Sequence, residues 1–172
     1  LGWVEASKAM VDRDAQYGMT KLYITFHAGM WTNCGARGPE PFHSRMTTSV
    51  ATPGGDKAVI SLFRHIKDLG MYPGFYAGCD FWQPISQVWD YNSAALKGDG
   101  SWVQAYHPKP WYFAELTSTF YRKQAEKLGG QTVYEDGWTA GDLWDHTDYD
   151  HRVSGSGRFL DTLQAVATGY RN

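Results

Sequence analysis

The sequence predicts an α/β fold, a partial (β/α)8 TIM barrel with long loops after the strands, and two observations carry that prediction. Three segments, QYGMTKLYITFHAG, DLGMYPGFYAGCD and KLGGQTVYEDGW, repeat one unit: helix end, glycine stop, strand, polar tip, long loop. Strands alternating with helices in this way imply βαβ units and a parallel sheet. Each strand also delivers a polar group, His27, Asp80 or Asp136, to its C-terminal end, where barrel enzymes build their sites. A doubly wound nucleotide-binding sheet would need GxGxxG or GxxxxGK[ST] between strand and helix, and neither occurs.

In chain order, Val4 to Tyr17 reads as a helix stopped by Gly18, and Lys21 to Phe26 as a strand ending on His27. Ala28 to Gly55 is long, polar and glycine-rich, which suggests a functional or inserted loop. From Asp56 to Leu69, Val59, Leu62, Phe63, Ile66 and Leu69 recur at helical spacing before Gly70. Met71 to Cys79 is the second strand, delivering Asp80, although Pro73 and Gly74 are poor strand residues. Phe81 to Lys109 reads as an aromatic loop carrying Trp82, Trp89, Tyr91 and Trp102. Pro110 suits the first turn of a helix through Phe113, Leu116, Phe120 and Leu128, terminated by Gly129 and Gly130. The third strand then runs to Asp136, followed by a loop rich in aspartate and a last helix from about Arg158 to Thr168.

A complete barrel typically needs around 250 residues. This chain has 172 and shows about three to four β/α units. Residues 1–172 are therefore expected to form a single, incomplete barrel domain, an internal piece that begins without Met and stops after a helix. Its expected partner is the remainder of the same chain. Three strands leave two open sheet edges and an uncovered interior, so the piece alone should be poorly stable and inactive.

Composition narrows the function classes. A 42% hydrophobic and 20% charged chain is ordinary for a globular domain and argues against disorder. With a formal net charge of -2 and no basic run, the footprint of a nucleic-acid binder is missing. No apolar run approaches the roughly 18 residues of a membrane span. Cys34 and Cys79 have neither CxxC spacing nor the density of a disulfide scaffold, and leave the redox compartment open. Aromatics make up 16% of the chain, with 8 Trp and 11 Tyr, many of them outside the periodic segments. Aromatic faces in loops stack on sugars, bases or proteins, and without a basic patch sugar or protein is favoured.

The stretch QTVYEDGWTAG at 131 to 141 concentrates the chemistry. A retaining glycosidase needs two carboxyl groups about 5 to 5.5 Å apart, one attacking the anomeric carbon and one protonating the leaving oxygen. Asp136 suits the first role if it faces the barrel mouth, and strand alternation then sends Glu135 the other way. The residues alone leave equally open a carboxylate that caps the next loop or pairs with an arginine. Asp80 could bond sugar hydroxyls while Trp82 stacks on the ring, or could be a structural loop aspartate. His27 and Trp31 invite the same pairing, against a hydrogen-bonded structural histidine.

The cluster His146, Asp148, Asp150, His151 hints at a metal site, but Val153 stands where an EF-hand loop needs glycine, and no HExxH helix exists. Asp148 and Asp150 are instead read as loop-ordering or substrate-contacting acids, with Arg152 as an ion partner; neither metal nor cofactor is expected. Cys79 reads as a buried thiol. Two rival readings are a non-catalytic carbohydrate-binding barrel and a barrel hydrolase with a metal at His27, Asp80 and His146.

FHAGMW at 26 to 31, CDFWQP at 79 to 84, VYEDGWTAG at 133 to 141 and HTDYDHRVSGSGRF at 146 to 159 together resemble a family. It is a group of large bacterial glycoside hydrolases with barrel domains distantly similar to the endo-α-N-acetylgalactosaminidases. Their pattern has a strand ending in Tyr-x-Asp, an aromatic or His shortly after, then TDYD-x-R-x-x-G-x-G-x-F. Tyr134, Asp136 and Trp138 match the first group; Thr147, Asp148, Tyr149, Asp150, Arg152, Gly155, Gly157 and Phe159 match the second, more specific one. The resemblance covers roughly Tyr23 to Gly169. It implies a retaining glycosidase with Asp136 as nucleophile, His27, Trp31, Asp80, Trp82, Trp138, Asp148, Asp150 and Arg152 being the candidate substrate contacts. The family's general acid lies on a later strand in a Ser-Glu-Gly type segment, which this sequence lacks.

Overall fold

The glycine stops of the sequence become three helix ends of similar design. The computed structural model describes residues 2–26, 52–78, 90–102, 109, 112, 122–136 and 167. Helix α1 covers Trp3–Gln16, α2 Gly55–Asp68 and α3 Arg122–Leu128. Each is followed by a glycine in the left-handed region, Gly18 at φ 78°, Gly70 at 80° and Gly129 at 82°. A helix end leaves carbonyls without intrahelical donors, and a left-handed residue turns the next amides back onto them. Gly18 and Met19 donate to the Ala15 and Asp14 carbonyls, both at 2.9 Å. Gly70 and Met71 do the same to Lys67 and Ile66 at 2.9 and 3.1 Å, while Gly129 and Gly130 share the Ala125 carbonyl at 2.8 Å. The reversals launch strands β1 (Tyr23–Phe26), β2 (Tyr72–Gly78) and β3 (Thr132–Asp136). The bounds of the strands, of α1 and α2, and the end of α3 agree with the sequence reading to within a residue or two, the usual uncertainty of element ends.

The strands form a small parallel sheet in the order β1-β2-β3. Tyr23 pairs with Tyr72, Ile24 with Pro73, Thr25 with Gly74 and Phe26 with Phe75. Pro73 is tolerated in the central strand because it sits near the strand's start. Its carbonyl accepts from the Gln131 amide at 2.8 Å, one residue before β3 begins, so its missing N–H falls where the ladder has barely opened. Gly74 is required by a close approach. A Cβ there would collide with the Thr132 backbone and hydroxyl.

Alternation separates the two sheet faces. Phe26 and Phe75 are buried against Phe63 of α2, with ring centroids 5.6 and 5.2 Å from it, and Trp3 of α1 lies 5.5 Å from Phe26. Val59, Leu62, Phe63 and Ile66 form the buried stripe of α2, at the i, i+3, i+4, i+7 spacing of an amphipathic helix. Val4 and Val11 of α1, Met71 and Leu128 complete this core. The other face of β1 and β2 carries Tyr23 and Tyr72, stacked at 5.2 Å and 72% and 38% exposed.

Helices α1 and α2 pack together. His65 Nε2 lies 2.6 Å from Asp12 Oδ1, and Trp3 Nε1 donates to the Thr52 hydroxyl at 3.1 Å. Lys127 pairs with Asp56, tying α3 to the start of α2.

Packing divides the chain into two compact units. One comprises Leu1–Gly38, Arg45–Ala77 and Gln124–Tyr134, the other Pro39–Ser44, Gly78–Lys123 and Glu135–Asn172. In the second, the described part of the region read from sequence as an aromatic loop has regular structure. A 3-10 turn covers Tyr91–Ser93, and a Leu96–Trp102 antiparallel bridge closes a tight hairpin. The Lys97 amide donates to Ser101 at 2.7 Å and that of Gly100 to Lys97 at 3.0 Å. Cys79, Trp89 and most of the helix expected after Pro110 lie outside the described residues, while Ala167, from the expected last helix, is helical.

Phe63 bridges both buried strand aromatics, so Phe63→Ala should destabilise by about 3–5 kcal/mol in urea unfolding followed by circular dichroism. Gly130→Ala would press a methyl into the Phe75 ring. Because Phe75 is held by Phe63, the expected cost is about 1–3 kcal/mol. Phe75→Leu in the same chain should recover part of it; additive effects of the two changes would contradict this contact.

Candidate active site at the strand ends

In sequence, the predicted site residues fall at or after the last residues of the strands. Strand β1 ends at Phe26, directly before position 27; β2 ends at Gly78, just short of position 80; β3 ends at Asp136 itself. Asp136 is thus the last residue of a strand. His27, Trp31, Asp80, Trp82, Trp138, Asp148, Asp150 and Arg152 lie outside the described residues, as does His146. Among the described residues no group of three or more His, Cys, Asp or Glu could hold a metal, and no helix is long and apolar enough to cross a membrane.

What positions β3 was only partly visible in the sequence. Gly129 and Gly130 read as one helix stop, yet they do different work. Gly129 takes the left-handed turn, while Gly130 lets the chain pass against the Phe75 ring. Gln131 then bonds to Pro73, and Thr132 lies over Gly74. The Thr132 hydroxyl is buried and has no hydrogen-bond partner among the described residues. Two positions on, Tyr134 is 52% exposed. The signal for this anchoring was the small residue at 74, which by propensity argued against a strand.

The hairpin after β2 is the other polar construction. The Asp90 carboxylate accepts from the Asn92 amide at 3.0 Å and from the Ser93 hydroxyl at 2.8 Å. The Asn92 amide is the largest influence holding its pKa below the usual aspartate range, followed by Ser93; partial burial opposes them, and the Lys109 ammonium adds a smaller attraction. Lys109 is itself buried, and its amide donates to the Ser93 carbonyl at 2.8 Å. Asp99 accepts from the Ser101 hydroxyl at 2.6 Å and amide at 2.9 Å, which lower its pKa in that order. Ser93, Ala94 and Ala95 are buried beneath, and the Tyr91 and Trp102 rings lie 5.4 Å apart.

No protein-family model matches the sequence, and no curated protein matches it. Solved structures do match. A quadruple mutant of the α-N-acetylgalactosaminidase NagBb from Bifidobacterium bifidum superimposes with a TM-score of 0.75 at 13% identity, covering 98% of this chain and 28% of that one. The GalNAc complex of the same enzyme gives 0.73 at 14% identity, covering 98% and 27%, and its Gal-NHAc-DNJ complex 0.74 at 14%, again covering 98% and 27%. The chain thus spans little more than a quarter of the length of these structures. At such identity the likeness is one of fold alone: a mixed α/β arrangement with three parallel strands and no closed barrel among the described residues.

The hairpin's carboxylates carry a pH signature. A carboxylate with a depressed folded pKa adds stability that is fully present above the ordinary aspartate range and is lost as the pH falls through its own lower value. Tyr91 and Trp102 should therefore separate, read by Trp fluorescence, only below about pH 4. Asp90→Asn should flatten that acid transition, and a transition centred above pH 5 would contradict the assignment.

Proposed function

We propose that this chain carries the nucleophile of a retaining glycosidase, with residues 1–172 part of one (β/α)8 barrel domain and Asp136 as the attacking carboxylate. The observation that carries the reading is that β3 ends on Asp136 in a fold matching a glycosidase at a TM-score of 0.75. A strand's two-residue period gives position 136 the same sheet face as Thr132 and Tyr134. Thr132 lies against Gly74, on the face away from Phe63 and the helices. In a (β/α)8 barrel that face lines the interior, and its C-terminal end is the mouth.

The chemistry follows from this position. The Asp136 carboxylate attacks the anomeric carbon as the glycosidic C–O bond breaks, and the leaving oxygen takes a proton from a second carboxylic acid. Water then attacks the glycosyl ester, giving up its proton to that second group and releasing Asp136. None of the motifs named above supplies the second carboxyl. His27, Trp31, Asp80, Trp82, Trp138, Asp148, Asp150 and Arg152 supply the substrate contacts. An α-linked N-acetylgalactosaminide is the first substrate to try, because the matched enzyme is named for that sugar. No cofactor takes part.

The test is turnover of aryl α-N-acetylgalactosaminide, alongside a panel of other aryl glycosides, by the product of the complete gene. Asp136→Asn should reduce kcat/KM by about 10⁴-fold with the fold intact, the scale expected for removing a covalent nucleophile. Asp136→Gly with added azide should release a glycosyl azide. Full activity of Asp136→Asn rules out the nucleophile, and sugar binding by the wild type without turnover leaves a carbohydrate-binding barrel.

A further inference from the structure

The aromatic segment after β2 takes no part in the reading above, yet its order is specific. Tyr91 and Trp102 are 54% and 44% exposed, with ring centroids 5.4 Å apart and planes inclined at 43°. The buried residues of the same segment are the small Ser93, Ala94 and Ala95, while both rings keep about half of their surface open. Their backbone is nevertheless tightly held. Asp90 caps the 3-10 turn on one side, and the Leu96–Trp102 bridge and the Asp99–Ser101 bonds fix the other. A frame that holds half-exposed rings in place before a ligand arrives lowers the ordering cost of binding.

Charge selects among the ligands that stack on rings. At the hairpin the carboxylates of Asp90 and Asp99 are matched by the ammoniums of Lys97 and of the buried Lys109, so the described charges balance. A nucleotide's phosphate finds no excess positive charge among the described residues to hold it, whereas a neutral sugar needs none. A pyranose offers an apolar C–H face to a ring and hydroxyl donors at its rim, and the exposed Asp99 carboxylate stands in the same turn as Trp102.

We propose that Tyr91 and Trp102 form an accessory subsite for a neutral pyranose ring of the glycan, separate from the ring attacked by Asp136. The identity of the ligand rests on the glycosidase reading, and its place on the hairpin is a new assignment.

The experiment follows the Trp102 indole N–H by nuclear magnetic resonance in the full chain, assigned with Trp102→Phe. Probes are N-acetylgalactosamine, the neutral tetrasaccharide chitotetraose, and adenosine monophosphate as an anionic stacking control. The Trp102 signal should move saturably with the sugars and not with the nucleotide. Tyr91→Ala should weaken binding roughly five- to tenfold, the effect of losing one aromatic contact. Tyr91→Phe should bind as the wild type does, which separates loss of the ring from loss of the fold. A Trp102 signal that stays still while other signals respond to sugar overturns the subsite and leaves the function standing. A shift with adenosine monophosphate as large as with sugar overturns it too. Movement at Trp102 in a protein whose Asp136→Asn variant keeps full turnover upholds the subsite and removes the nucleophile instead.

Discussion

The contact on which the described sheet depends is the placing of the Phe63 ring between Phe26 and Phe75. One side chain of α2 meets the last residue of β1 and its register partner in β2. A slip of one residue would send Phe26 to the opposite face, exposing one large ring and breaking both contacts, so the packing fixes the register. Trp3 extends the column to α1 and Gly130 receives Phe75 from the β3 side. Few residues thus link two helices to all three strands, which is why volume matters more here than at the exposed Tyr23–Tyr72 stack.

Legibility in the sequence followed the nature of the interaction. Helix ends were plain because only a left-handed residue closes them economically, and Gly18, Gly70 and Gly129 advertise that need directly. The stripe on α2 was plain because burial on a helix writes a period. Pro73 and Gly74 weakened a strand reading that was right, since propensity scores a residue alone while the sheet uses them against Gln131 and Thr132, remote in sequence. The hairpin at 90–102 was missed for the opposite reason. It is built from side chain to backbone bonds of Asp90 and Asp99, which leave no hydrophobic periodicity. Of the candidate site, the strand end at Asp136 was readable, because a β-prone run meeting two acids and a glycine marks where a strand stops. The remaining candidates lie outside the described residues, in stretches without the periodicity by which a local pattern fixes a position.

The two faces of the sheet divide the work. The face toward the helices is sealed by phenylalanines, which demand a dry and fixed environment. Tyr23 and Tyr72, stacked on the other face, and Tyr134 on β3 are all substantially exposed. Tyrosine tolerates a surface that is partly wet and partly covered, because it offers an apolar ring and a hydroxyl that must find a partner. A sheet with one dry face and one amphipathic face can support polar chemistry at its edge without opening its core.

A TM-score of 0.75 at 13% identity means that the backbone course is shared while few side chains are. Fold persistence needs residue classes at a few positions: a residue free to turn left-handed after each helix, rings of matching volume in the column, and small residues where strands approach closely. Chemistry needs particular groups at particular atoms, so fold likeness locates a strand end without stating what it does. In this chain the contacts that anchor β3 are made by Gly130, Gln131 and Thr132, upstream of the acid at its tip. A substitution at position 136 leaves that anchoring in place, and a loss of turnover there therefore reports on the carboxylate rather than on the scaffold that presents it.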